Sequence, residues 1–360
     1  MPHNPYISPG STIGIIGGGQ LGKMISIAAA ELGYKTHLLT DNPDDPSIYT
    51  TNNVTVLNNY HNTELLLKFA ANVNIATLEF ENIPSSTIDI LSQKITVHPG
   101  KEALYISQNR IREKQHIRHL GIKTTDFRII DSYNSLVKNV LELGYPSILK
   151  TTELGYDGKG QYLIKQQDDL NNLLDLNWEQ PYILEKFVKI HKEISIIISK
   201  SINGSIEFFP IAENYHTNGI LATSSVPALI FQDINVQAQK IALQIAESIN
   251  LVGLLTVEFF ITNTQELIVN EIAPRPHNSG HWSLDACNIS QFEQLIRAIC
   301  GLPLKPVKLL FPCIMNNILG DNIYNYYKYE AKANENIYIY GKTKASKNRK
   351  MGHINTLKLN

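Results

Sequence analysis

LLTVEFFITNTQELIVNEIAPRPHNSGHW, residues 254–282, contains two apolar runs joined by TNTQE and followed by a dense polar segment. Paired as a hairpin with Asn263 to Glu266 as the loop, the runs set Phe260 opposite Val269 and Glu258 opposite Glu271. Carboxylates directly opposed across a ladder lie about 5 Å apart and repel. A divalent cation between them explains the arrangement. So few ligands, all hard oxygens, point to Mg²⁺, which completes its shell with waters and phosphate oxygens. A lone Glu on a strand ordinarily faces solvent. Here the facing Glu and the polar cluster after it argue otherwise. Pro274 and Pro276 fix φ and keep a helix from forming through the segment, which holds Glu271, Arg275, His277, Asn278 and His281.

At 360 residues the chain exceeds one typical core, so two or three domains are expected. A net charge of −1 gives no broad nucleic-acid-binding surface; the basic run is KTKASKNRK (342–350), late in the chain. Cys287, Cys300 and Cys313 are an odd number without C-x-x-C spacing, which reads as reduced thiols rather than a disulfide framework or zinc site. No apolar stretch approaches the roughly 20 residues of a membrane span. MPHNPYISPG lacks the basic and apolar parts of a signal peptide. A cytoplasmic protein with no membrane and no nucleic-acid partner is expected.

Outward from the hairpin, TIGIIGGGQLGKMISIAAAELGYKTHLLT (12–40) reads as strand, glycine turn, helix and strand, with Gly33 ending the helix. NIATLEF (74–80) and a short helix near PSSTIDILSQ extend an open parallel α/β sheet to about residue 100. A charged helix (109–121) leads to strands at 145–150, 161–165, 181–188, 192–201 and 206–216, then a helix at 235–250. These strands form an α+β region distinct from the parallel first part.

Two glycine clusters stand out. Gly17-Gly18-Gly19-Gln20-Leu21-Gly22 satisfies G-x-G-x-x-G, and Asp41 sits where a ribose-binding acid of a dinucleotide fold would lie. The motif by itself shows only that amides at this helix N-terminus can meet an anion, so an NAD-dependent oxidoreductase is the different-class alternative. Lys150 followed by Gly155-Tyr156-Asp157-Gly158-Lys159-Gly160-Gln161 between two strands is more specific. Such a loop can close its amides over a phosphate chain while two lysines neutralise charge in phosphoryl transfer. Glu185-Lys186-Phe187-Val188 and Glu193 then offer an extended edge for a nucleobase and carboxylates for ribose hydroxyls.

Together these segments resemble the ATP-grasp superfamily and, within it, the family of 5-(carboxyamino)imidazole ribonucleotide synthases. The resemblance runs from GIIGGGQLGKM through LEFEN, GYDGKGQ and NEIAPRPHNSGHW to RKMGH (349–353). It implies a parallel pre-ATP-grasp domain (1–106), an ATP-grasp domain (107–305, with a lid at about 128–186) and a small C-terminal domain (306–360). It implies a ligase of purine biosynthesis that joins aminoimidazole ribonucleotide and bicarbonate using ATP and Mg²⁺, through carboxyphosphate, as a homodimer.

By the same resemblance, ATP is held by Arg110, Lys150, the 155–161 loop, Glu185 to Val188, Glu193, His216, Asn270 and Glu271. Glu258 and Glu271 hold the metal, and Arg275, His277 and Asn278 hold bicarbonate and carboxyphosphate. The ribonucleotide meets Gln20, Leu21, Glu79, Tyr156, Asp157 and Lys159, with Lys342, Arg349 and Lys350 on its phosphate. Asp157 is the candidate for orienting and deprotonating the exocyclic amine. One departure is Glu153-Leu154 where the family has threonine-glycine, which adds a negative charge near a phosphate path. The nearest rival is the formate-dependent glycinamide ribonucleotide transformylase family. It usually carries an acid-threonine pair at Asn278-Ser279.

Overall fold

A computed structural model describes residues 6–153, 155 and 160–359. The β-branched run Thr12–Ile16 becomes the centre of a parallel sheet whose order is Asn53–Val56, Lys35–Thr40, Thr12–Ile16, Ile75–Leu78, Thr96–His98. The chain reverses direction of travel at the central strand, and in such sheets the crevice beyond the strand ends is the usual ligand site. Gly17 and Glu79 stand at that crevice, one residue past Ile16 and Leu78. Helix Gln20–Glu31 buries Ile25, Ala28 and Ala29, and Gly33 (φ +81°) turns the chain out of it.

A four-stranded antiparallel sheet follows, in the order Phe127–Ile130, Tyr182–Lys186, Ser147–Thr151, Gln161–Ile164. Helix Tyr133–Leu143 covers one face through Leu136 and Val140. Ile148 lies opposite Glu185, so Lys150 is the diagonal neighbour of Glu185 on the same face.

The third sheet has nine strands, and its main path runs from Leu267–Ala273 through Gly253–Thr262, Ile190–Lys200, Ala212–Thr217 and Ile220–Val226 to Cys313–Leu319, Lys350–Leu357 and Glu335–Ile339. Alternation along Ile190–Lys200 sends Ile194, Ile196 and Ile198 into one core with helix Gln232–Ser248. Ile197 points the other way, into the core shared with helix Gln291–Cys300 and helix Gln20–Glu31. That shared core fixes the first sheet against the third. The strand-rich 206–216 run divides into Ile206–Phe208 and Ala212–Thr217 around Pro210, whose missing N–H cannot join a ladder. Among the described residues no helix is long and apolar enough to cross a membrane.

The decisive hairpin differs in detail from its expected register. Ile261 pairs with Leu267, and the Thr262 amide donates to the Glu266 carbonyl at 3.0 Å. The loop is therefore Asn263 to Gln265, with Gln265 left-handed (φ 62°), a three-residue turn that needs such a residue at its end. Phe259, not Phe260, faces Val269. A bulge at Asn270 then restores one residue of offset, and Glu258 does face Glu271.

Candidate active site

A cavity of about 480 Å³ opens where the three sheets meet. Gln20, Leu21 and Glu79 line it from the first, Lys150, Gln161 and Glu185 from the second, and Glu258, Glu271 and Lys350 from the third. Residues expected at the nucleotide (Arg110, Gly155, Lys186, Phe187, Val188, Glu193, His216, Asn270) and at the small anion (Arg275, His277, Asn278) share it.

Where the nucleotide is expected, charge is dense. The Lys150 ammonium donates to Glu185 Oε2 at 2.9 Å, and Lys114, fully buried, stands 3.6 Å from Glu185 Oε1. Burial alone would raise the Glu185 carboxyl, but the two lysines pull it down to about 2. Lys114 also donates to the Asn270 carbonyl at 3.1 Å, tying this carboxylate to the bulge beside Glu271. The Lys186 and Phe187 amides already donate to Asp126 and Pro146 carbonyls, at 2.8 and 3.2 Å. His216 Nδ1 lies 2.7 Å from Glu193 Oε2; burial opposes its protonation, and the Glu193 contact together with the Glu258 and Glu271 charges more than offsets this. The unfamiliar Glu153 is held by Asn109 Nδ2 at 2.9 Å and Arg112 at 3.5 Å, so its charge does not stand alone.

At the paired acids, Arg110 Nη1 lies 3.2 Å from Glu271 Oε2, and its Nη2 donates to the Gly155 carbonyl at 3.3 Å. Burial and the facing Glu271 push Glu258 up to about 7. Burial acts on Glu271 too, yet Arg110 outweighs it and holds that carboxyl below its ordinary value. The set fits a small hard cation: two facing carboxylates of which one resists ionisation until positive charge arrives. Among the described residues no group of three or more His, Cys, Asp or Glu could hold a metal alone. Mg²⁺ characteristically needs only one or two carboxylates beside substrate phosphates.

The segment expected to hold the small anion is clamped from behind. Gln291 accepts from the His277 amide at 2.9 Å and donates to the His277 carbonyl at 2.7 Å. Arg275 Nε lies 2.8 Å from Glu81 Oε2, and its Nη1 donates to the Pro276 carbonyl at 3.0 Å. Burial and Arg275 push His277 down to about 3, so the ring is neutral. Asn278 is buried with neither end of its carboxamide paired. Such a group on a cavity wall is poised for a ligand with both donors and acceptors.

The first glycine turn is filled from within. A Cβ on Gly19 would lie 2.3 Å from Glu79 Oε1, and one on Gly18 2.4 Å from Asp45 Oδ2. Burial pushes Glu79 up to about 7, although the Gly19 amide donates to it. Asp41 does not line the cavity, and the space a pyrophosphate would need holds two carboxylates of the chain itself.

Three expected residues stand apart. Gly160 (φ +69°) does not line the cavity and closes the strand pair, its carbonyl accepting from the Thr151 amide at 2.9 Å. Arg349 does not line the cavity and donates to the Lys344 carbonyl at 2.8 Å; Lys342 donates to the Lys350 carbonyl at 2.8 Å. Only Lys350 of that trio reaches the wall. Tyr156, Asp157, Gly158 and Lys159 lie outside the described residues, as does Leu154. Lys114, Glu81 and Gln291 were not foreseen. Glu81 stands inside LEFEN (78–82), one of the segments that carry the resemblance, and that was the available signal.

Comparison with known proteins finds a family match in each part of the chain. The ribonucleotide synthetase pre-ATP-grasp domain family matches residues 11–108, the ATP-grasp domain family 115–292, and the phosphoribosylaminoimidazole carboxylase C-terminal domain family 313–360. N5-carboxyaminoimidazole ribonucleotide synthase of Bacillus subtilis (strain 168) is 44% identical, over 98% of this chain and 93% of that protein. A crystallised N5-carboxyaminoimidazole ribonucleotide synthetase in complex with ADP superposes with a TM-score of 0.95 at 41% identity, over 99% of this chain and 94% of that one. The Aspergillus clavatus enzyme, solved with ADP and 5-aminoimidazole ribonucleotide, gives 0.89 at 26% identity, over 97% and 94%.

Proposed function

The chain belongs to the N5-carboxyaminoimidazole ribonucleotide synthases, an ATP-grasp family, and from that premise we propose how its residues divide the work. It is a ligase that carboxylates 5-aminoimidazole ribonucleotide with the use of ATP in purine biosynthesis. In our reading a bicarbonate oxygen attacks the γ-phosphorus and the bond to the β-phosphate oxygen breaks, giving ADP and carboxyphosphate. The exocyclic amine then attacks the carboxyl carbon, a nitrogen–carbon bond forms, phosphate leaves, and the amine gives up a proton.

Arg110, Lys150 and Gln161 meet the phosphates in this reading, and Lys186 to Val188, Glu193 and His216 the nucleoside. Two amides of that edge are already engaged, so the Lys186 carbonyl and the Val188 amide are the groups offered to adenine. Glu258 and Glu271 would hold Mg²⁺, which would supply charge neutralisation to the phosphate oxygens when bound. Arg275 and Asn278 fix the small anion, where cations and donors set in advance lower the barrier most. Glu79, Gln20, Leu21 and Lys350 receive the ribonucleotide, and Asp157 orients its amine. The division at 1–106, 107–305 and 306–360, the homodimer and the cytoplasmic setting are part of the same proposal. Sedimentation of the pure protein tests the dimer.

The observation that carries the reading is the single cavity in which the paired acids and the unpaired Asn278 carboxamide share one wall. Turnover with ¹⁸O-bicarbonate tests it. Each released phosphate is expected to carry one bicarbonate oxygen; unlabelled phosphate would remove carboxyphosphate from the path.

A further inference from the structure

Behind His277 runs a chain of hydrogen bonds whose direction can be worked out link by link. The Ser279 backbone N–H lies 3.3 Å from His277 Nδ1 in donating geometry. An amide N–H can only donate, so Nδ1 is an acceptor and carries no hydrogen. The Ser279 hydroxyl, 2.8 Å from the same nitrogen, must then donate to it as well. Its one hydrogen is thereby used, and towards Ser195 Oγ at 2.8 Å it accepts. Ser195, donating to Ser279, accepts from Asn214 Nδ2 at 2.9 Å. The Asn214 carboxamide is oriented by this, and its Oδ1 accepts from Ser224 Oγ at 2.7 Å. Ser224, Asn214, Ser195 and Ser279 are all buried, so water does not compete along the chain.

We propose that Ser224, Asn214, Ser195 and Ser279 are positioning residues that hold His277 as the neutral Nε2–H tautomer, so that it meets the reacting anion as a hydrogen-bond donor and never as a base. The other end of the ring agrees: Nε2 lies 3.5 Å from Glu258 Oε1, facing a carboxylate as an N–H should. A proton on Nδ1 would confront the Ser279 amide hydrogen and leave one of the two hydroxyl links reversed. This inference rests on the anion site proposed above. It assigns His277 to the oxygens of bicarbonate and carboxyphosphate, and it leaves the proton lost by the amine to another group.

The ring nitrogens are read directly by NMR of ¹⁵N-histidine-labelled full-length protein, with His277 assigned by its loss in His277→Gln. Without substrate, Nδ1 is expected to resonate as an unprotonated nitrogen and Nε2 as a protonated one. Ser279→Ala and Ser195→Ala are expected to bring a measurable Nδ1–H population. Protonated Nδ1 in the wild type overturns the proposal, and an unchanged tautomer in both variants overturns the role of the chain. Kinetics supplies the second reading. Gln at 277 can place an amide donor near the Nε2 position, whereas Asn places one near Nδ1. His277→Gln should stay within about tenfold of wild-type kcat while His277→Asn and His277→Ala lose roughly 100-fold or more, the usual effect of removing an anion-stabilising donor. Equal losses in Gln and Asn would refute the donor role. The tautomer is measured without turnover, so it stands or falls separately from the carboxyphosphate reading.

Discussion

Two turns of this chain are built to face an anion, and they end in opposite conditions. The Gly17–Gly19 turn at the start of helix Gln20–Glu31 has the amides of a phosphate cradle, yet the chain's own Glu79 sits against them. The Pro274–Ser279 segment has no glycine cradle, but it presents Arg275, a neutral His277 and an unpaired Asn278 to the cavity. The difference teaches that an anion site is decided by what already occupies it. A glycine motif announces donors; it does not announce that they are free. Here the internal carboxylate converts a cofactor-like turn into a wall of the cavity, and the segment without a motif keeps the Asn278 carboxamide open.

The largest expected effect breaks the second turn from the side of the paired acids. Glu271→Gln keeps the shape of the side chain while removing the charge that faces Glu258 and Arg110. Turnover should fall by roughly 10³-fold, the scale of losing a preorganised electrostatic group, with the circular dichroism and melting transition retained. Wild-type rates at saturating Mg²⁺ would remove Glu271 from the metal.

The first turn is probed next, through pH. Glu79 is held up at about 7 against an ordinary 4.5, mainly by burial. An acid whose pKa is raised on folding favours the folded state below its unfolded pKa and loses that advantage as pH climbs through the folded one. The loss therefore falls between pH 4.5 and about 7, and amounts to roughly 3 kcal/mol at most. Glu79→Gln should accordingly gain several degrees of melting temperature on the wild type between pH 5 and pH 8. A gap that does not change with pH would show that Glu79 ionises freely in the folded protein.

How much of this was readable in the sequence follows from distance along the chain. The strand–glycine–helix start and the strand read at 192–201 are local patterns, and both form, the second as Ile190–Lys200. The facing of Glu258 and Glu271 was also legible, but by a compensation. The loop is one residue tighter than counted, and the bulge at Asn270 returns the missing residue. What could not be read are contacts set by which sheets pack together: Lys114 on Glu185, Glu81 on Arg275, and the serine chain behind His277. None of these has a spacing signature, because each joins elements that are neighbours only in the folded protein. The same limit hid the filling of the glycine turn, since Glu79 arrives from a different strand.

Glu81 tests whether the open turn is held open from the other sheet. Its carboxylate on Arg275 Nε is the link between LEFEN and the anion segment. Glu81→Gln keeps an acceptor there but drops the charge, and KM for bicarbonate should rise about tenfold, as for one charge-assisted hydrogen bond weakened, with KM for ATP little changed. Equal rises in both constants would mean that Glu81 supports the whole cavity and not the anion segment.

The smallest effect returns to the filled turn and asks whether filling is the whole of its distinction. Gly19 has φ −70° and ψ −164°, an extended conformation open to any residue, so its backbone gives no reason for glycine. The reason is Glu79 Oε1, 2.3 Å from where a Cβ would stand. That oxygen is the end of a side chain and can shift, so Gly19→Ala should cost only about 1 kcal/mol in chemical denaturation, the low end for overpacking. In a Glu79→Ala background the same substitution should cost close to nothing, because residues in direct contact do not add. An equal cost in both backgrounds would place the constraint on Gly19 somewhere other than Glu79, and the contrast between the two turns would then rest on their backbones and not on their occupants.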